Sequence, residues 1–137
     1  MISFQNIGTC LSLKKESISV LIKNIVLEEN KNIGHVSFIF CDDNYLLEKN
    51  KEFLNHDFFT DVISFDYSEK NTVSGDILIS IDRVKENAKL FNVDFLSELH
   101  RVMIHGLLHL LKYNDKTKEE KRIMTQKENY YLNKICD

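Results

Sequence analysis

Apolar residues along this chain change their period several times, and each change marks an element. Residues 2–13 hold a short apolar segment that suits an edge strand. Ile18, Leu21, Ile22, Ile25 and Val26 then recur at helical spacing, which predicts a helix over Ser17 to Asn30. From Gly34 to Cys41 the period drops to two: Val36, Phe38 and Phe40 alternate with His35, Ser37 and Ile39, as in a strand. Asp42 or Asp43 can cap a short helix through Lys51 that carries Tyr45, Leu46 and Leu47. Asn55 to Thr60 reads as loop. Val62 to Phe65 and Asp76 to Ile81 read as two short neighbouring strands, joined by the polar stretch Ser68 to Gly75. Asp82 is placed to cap a helix through about Phe91, and Asn92 to Asp94 break it. Leu96 to Leu111 is again helical and strongly apolar. Thr117 and Glu120 have the spacing of a capping box, which predicts a last helix reaching about Leu132.

These elements give one α+β domain over residues 1–137, with a small mixed sheet of about four strands. Helices pack on it, and the apolar helix Leu96 to Leu111 is expected to be central and buried. A chain of 137 residues is long enough for a single core. No apolar run approaches the roughly 20 residues of a membrane span, and no signal-peptide pattern opens the chain, so the expected location is cytoplasmic. Cys10, Cys41 and Cys136 are odd in number and widely spaced, as free thiols of a reducing compartment are. The net charge of −3 excludes a general polycation, while leaving room for a local basic patch toward RNA.

Candidate chemistry concentrates in His105-Gly-Leu-Leu-His109-Leu-Leu-Lys-Tyr-Asn-Asp115. Histidines four apart on a helix project from one face, one turn above the other, where they can share a metal ion. A third ligand has to come from beyond the helix, and Asp115, six residues past His109, can fold back to supply it. Three protein ligands and one open position are the pattern of a catalytic zinc. The bare H-x-x-x-H is equally compatible with two helix histidines that merely stand four apart. Gly106 follows His105 where H-E-x-x-H peptidases carry their general base, which argues against a zinc peptidase. Gly106 would let a strand or a substrate backbone approach the helix, or serve helix packing alone. Arg101 and Glu98 continue the histidine face toward the N-terminus. Arg101 could hold a phosphate beside the metal, or simply pair with Glu98.

Two segments together carry a family resemblance. Thr60-Asp-Val-Ile-Ser-Phe65, followed by Gly75-Asp-Ile-Leu-Ile-Ser80, resembles the paired strands of the YbeY family of metallo-endoribonucleases. The stretch from His105 to Asp115 is similar to that family's ligand motif, H-G-x-L-H-L-x-G-Y-D-H. The resemblance implies a zincin-like arrangement and one Zn2+ ion held by His105, His109 and Asp115. It also implies single-strand-specific cleavage of RNA in 16S ribosomal RNA maturation and small-subunit quality control. Arg101, His105 and His109 would then be the catalytic residues, and the ribosomal small subunit a partner. A non-catalytic, metal-stabilised assembly factor is the competing expectation.

The chain departs from the family pattern at three places. Asp115 stands where the motif usually has His, Lys112 where it has Gly, and Leu54 where relatives usually carry Arg. A left-handed backbone at the helix end costs more for Lys112 than for glycine, so Asn114 is the expected residue to adopt it. Asp76 could orient a ligand imidazole or an arginine, or be only a strand-end carboxylate. His56 reads as a solvated loop residue, His35 and His100 as structural, and Lys85 and Lys89 as a solvated helix face.

Overall fold

The computed structural model describes residues 1–56 and 59–135. Asp57 of the expected loop and Cys136 of the three cysteines therefore lie outside the described residues. The alternation in the first apolar-polar stretch is real: Val36, Phe38 and Phe40 are at most 1% exposed, and the strand β2 runs Asn32–Cys41. Its neighbours are β1 (Ile2–Ile7) and β4 (Thr72–Ser80), both parallel to it. β3 (Val62–Asp66) pairs antiparallel with the outer side of β4, giving the order β1-β2-β4-β3. The segment near the N-terminus is thus an edge strand, and β3 forms the opposite edge.

Parallel neighbours need a crossover, and helices supply it. α1 (Lys15–Glu28) joins β1 to β2 and buries Ile18, Ile22, Ile25 and Val26. After β2, Asp42 caps α2 (Asp43–Leu54), its carboxylate accepting from the Tyr45 amide at 2.8 Å. α3 (Ile81–Phe91) follows β4 without a loop. The expected cap, Asp82, lies inside its first turn; Ser80, the last residue of the strand, accepts the Arg83 amide at 3.1 Å instead. A serine hydroxyl ending a strand can serve both elements, which leaves Asp82 free to accept the Asp43 amide. α4 (Phe95–Leu110) is the apolar helix, and α5 (Lys118–Leu132) begins with the capping box of Thr117 and Glu120.

The connection between β3 and β4 is shorter than its polar composition suggests. Thr72 to Gly75 belong to β4, because the strand has partners on both sides and Val73 is 2% exposed in the core. Only residues 67–71 turn, with Lys70 at φ +53°. Alternation along the sheet then decides what each face packs against. Val36, Phe38, Phe40, Ile77 and Ile79 join residues of α1, α3, α4 and α5 in the main core. Cys41, Ile63 and Leu78 pack with Leu46 of α2 on the other face. Among the described residues, no helix is long and apolar enough to cross a membrane.

Candidate metal centre

α4 lies on the sheet at a glycine. A Cβ on Gly106 would stand 2.6 Å from Ile77 Cγ2 and 3.3 Å from Val62 Cγ2, so the glycine allows the helix to seat directly on β3 and β4. The Ser64 hydroxyl donates to the Gly106 carbonyl at 3.0 Å and pins the contact. Strand approach, not room for substrate, is what this glycine provides. It also sets the height and rotation of the flanking histidines.

His105 and His109 point the same way, with their Nε2 atoms 3.0 Å apart. Asp115 returns to them: its Oδ2 is 3.2 Å from His105 Nε2 and 3.4 Å from His109 Nε2. The three side chains form a potential metal-holding group among the described residues. A tetrahedron's edge is about 1.6 times its centre-to-vertex distance, so zinc bonds of ~2.0–2.1 Å place ligand atoms about 3.3–3.4 Å apart. The observed triangle therefore fits a tetrahedral ion with only a slight expansion.

The far nitrogens fix the tautomers. The Tyr113 carbonyl can only accept, so His109 Nδ1, 3.0 Å away, carries a proton and donates it. His105 Nδ1 lies 2.6 Å from Glu128 Oε2 of α5. Both Nε2 lone pairs are thereby left for a shared ligand, the usual partnership of a ligating imidazole with a carboxylate or carbonyl. Burial alone would lower the pKa of His105, but the hydrogen bond and charge of Glu128, with Asp115 and Asp61 behind them, outweigh it and raise it. Glu128 is 5% exposed and takes a second bond, from Arg101 Nη1 at 3.2 Å.

Arg101 faces the histidine side of α4 and also holds Glu98, through Nε at 2.9 Å and Nη2 at 2.5 Å. Its bond to Glu98, with the charges of Glu128 and Glu98, outweighs burial and holds this guanidinium protonated beyond its usual range. Asp76 is not part of the site. It shares its strand face with Leu78, which packs toward α2, whereas Ile77 faces Gly106 of α4. Strand alternation sends its carboxylate to the wrong side, and Glu128 takes the role of orienting the imidazole. Lys112, not Asn114, adopts the left-handed backbone, at φ +75°, and its ammonium pairs with Asp66 of β3. The position is dictated by where α4 ends, whichever residue stands there.

Asp61, just before β3 in the segment that carries the strand-pair resemblance, has no role assigned to it from the sequence. Burial raises the pKa of its carboxyl, partly offset by the charges of His105 and Arg101, and Asn87 of α3 donates to it at 3.2 Å. His35 is exposed and bonds Ser37 at 3.0 Å, away from the centre. His100 lines a separate groove of about 1290 Å³ between α1 and the end of α5, which includes none of the three candidate ligands. Lys85 and Lys89 are exposed on α3, as expected of a solvated face.

The model of the family described as Endoribonuclease YbeY matches residues 4–136. The chain belongs to the YbeY family. The protein named Endoribonuclease YbeY from Flavobacterium psychrophilum is 50% identical over 133 residues, covering 96% of this chain and 94% of the relative. Its namesake from Parabacteroides distasonis is 47% identical over 121 residues, with 88% and 85% covered. The solution structure of TM1509 from Thermotoga maritima superposes with a TM-score of 0.69 at 30% identity, covering 98% of this chain and 89% of that one. In this chain the histidine helix is α4, and the strand pair is β3 and β4. Against the motif quoted above, it has a carboxylate at Asp115 and a lysine at Lys112. Leu54, where an arginine was expected from the resemblance, ends α2 and is 42% exposed.

Proposed function

We propose that the chain is a zinc-dependent endoribonuclease that cuts single-stranded RNA, acting in the cytoplasm on 16S ribosomal RNA during small-subunit maturation and quality control. The observation that carries the metal reading is the triangle of His105 Nε2, His109 Nε2 and Asp115 Oδ2, with edges of 3.0, 3.2 and 3.4 Å. One Zn2+ held there would act as a Lewis acid on a phosphoryl oxygen and lower the pKa of water. Relatives named as endoribonucleases support RNA as the substrate class and favour an enzyme over a metal-stabilised assembly factor.

Electrostatics support a cation at this place. Glu98, Glu128 and Asp115 surround Arg101 and the histidines, so without a bound cation an RNA phosphate would meet net negative charge. Arg101 spends three N–H groups on Glu98 and Glu128. In this reading its remaining two hold a phosphate oxygen, and its charge keeps Glu128 anionic and aligned on His105. Glu128 and the Tyr113 carbonyl hold the two imidazoles in the tautomer that leaves both Nε2 atoms free. The test is cleavage of a fluorescent single-stranded ribosomal RNA fragment by the zinc-loaded protein and by His109→Ala. Loss of cleavage with retained folding supports the enzyme. Wild-type protein that binds zinc stoichiometrically yet leaves single-stranded RNA intact would sink it.

A further inference from the structure

Asp115 can serve the centre only if the turn between α4 and α5 is held, and that turn is anchored from a part of the chain more than eighty residues away. Tyr113 is the pivot. Its carbonyl accepts from His109 Nδ1 at 3.0 Å, and its hydroxyl donates to Glu29 Oε1 at 2.5 Å. Asp115 follows two residues later. Glu29 closes α1, and its side chain is 12% exposed. Its other oxygen takes Lys127 Nζ at 3.0 Å and the hydroxyl of Tyr131, which is 1% exposed. Burial would raise the pKa of this carboxyl, but bonds from Tyr113, Tyr131 and Lys127 outweigh it and keep it low. Glu29 is therefore a fixed anion tied to α5, not a mobile surface acid.

The backbone also ties this turn to α4, the Tyr113 amide donating to the Leu108 carbonyl at 3.0 Å, but that bond leaves Asp115 unanchored to the rest of the fold. The Lys112–Asp66 pair joins a lysine that is 65% exposed, and such surface pairs hold geometry poorly. Glu120 accepts the amides of Lys116 and Thr117, past Asp115. The Tyr113–Glu29 bond is half-buried and long-range, and it acts on the same residue that orients His109.

We infer that Glu29 is a positioning residue for the metal centre, holding through the Tyr113 hydroxyl the turn that orients His109 and presents Asp115. The inference rests on the metal reading above. Removing a group that orients a metal ligand typically weakens binding 10–100-fold. This tie acts one bond further out, so the expected loss is toward the lower end, roughly 5–30-fold. The experiment measures zinc affinity by competition with a chromogenic chelator for wild type, Tyr113→Phe and Tyr131→Phe. Both variants remove one hydroxyl from the same carboxylate, but only the first releases the turn. A roughly 5–30-fold loss for Tyr113→Phe, with Tyr131→Phe within about two-fold of wild type, supports the inference. Wild-type affinity in Tyr113→Phe, or an equal loss in Tyr131→Phe, overturns it, because Glu29 would then contribute to stability alone. A wild type that takes up no zinc removes the metal reading itself and this inference with it. Urea unfolding of each zinc-free variant confirms that the proteins compared are folded.

Discussion

Replacing Gly106 by alanine sets two opposing effects against each other. In an exposed helix interior the change stabilises by ~0.8–1.0 kcal/mol, because alanine loses less backbone entropy on becoming helical. Here the new Cβ would stand 2.6 Å from Ile77 Cγ2, 3.2 Å from Ser64 Oγ and 3.3 Å from Val62 Cγ2. Carbon atoms settle about 3.5–4.0 Å apart, so either Ile77 or the helix must retreat by roughly an ångström. Ile77 is fully buried and locked in register between Phe38 and Ser64. Overpacking of this kind costs about 1–3 kcal/mol. The Ser64 bond to the Gly106 carbonyl also lengthens, forfeiting part of a further ~0.5–1.5 kcal/mol. Packing therefore wins, and the net expectation is a destabilisation of about 0.5–3 kcal/mol. Urea denaturation followed by circular dichroism measures it as a lower midpoint at unchanged slope. Zinc affinity should fall as well, since lifting α4 displaces His105. A midpoint that rises, or stays where it is, would show that the helix is not pressed on the sheet at this glycine.

Asp115→Ala should weaken zinc binding strongly, whereas Asp115→His should keep or tighten it; equal affinity for wild type and Asp115→Ala, by chelator competition, would make Asp115 only a turn residue. Glu128→Gln should cost 10–100-fold in zinc affinity, because an amide cannot accept from both His105 and Arg101 as a carboxylate does; unchanged affinity would remove Glu128 from the centre. Glu29 has a folded-state pKa below its ordinary 4.5, so its stabilisation is complete above that value and fades as pH falls through the lowered one. The stability difference between wild type and Glu29→Gln should follow that curve in acid titrations of the zinc-free proteins, and a difference that grows on acidification would contradict the assignment.

Local order was legible in the residues themselves. The 3.6-residue period of α1 and α4, the two-residue period of β2, and the box of Thr117 and Glu120 are short-range patterns, and each became the element it implied. The histidine pair was legible for the same reason: four residues along a helix is a local distance, and the backbone alone brings the two rings to one face. The strand pair also survived, though β4 began earlier than its polar residues suggested, because partners on both sides extended the ladder.

What the sequence left open were the choices made by distant parts of the chain. Glu128 and Asp61 lie 23 and 44 positions from His105, and Glu29 lies 80 from His109. Nothing in the neighbours of Glu128 or Glu29 marks them, since a glutamate on an amphipathic helix reads as a solvated charge until another helix covers it. Asp76 failed in the opposite sense: a carboxylate beside a motif looked useful, yet the side of the sheet on which α4 packs turned it away. Lys112 took a backbone normally given to glycine because α4 ends where its packing on β3 and β4 ends. Periodicity acts over one or two turns and is written in the residues. The partner of a buried charge is set by which faces meet, and only the closed fold decides that.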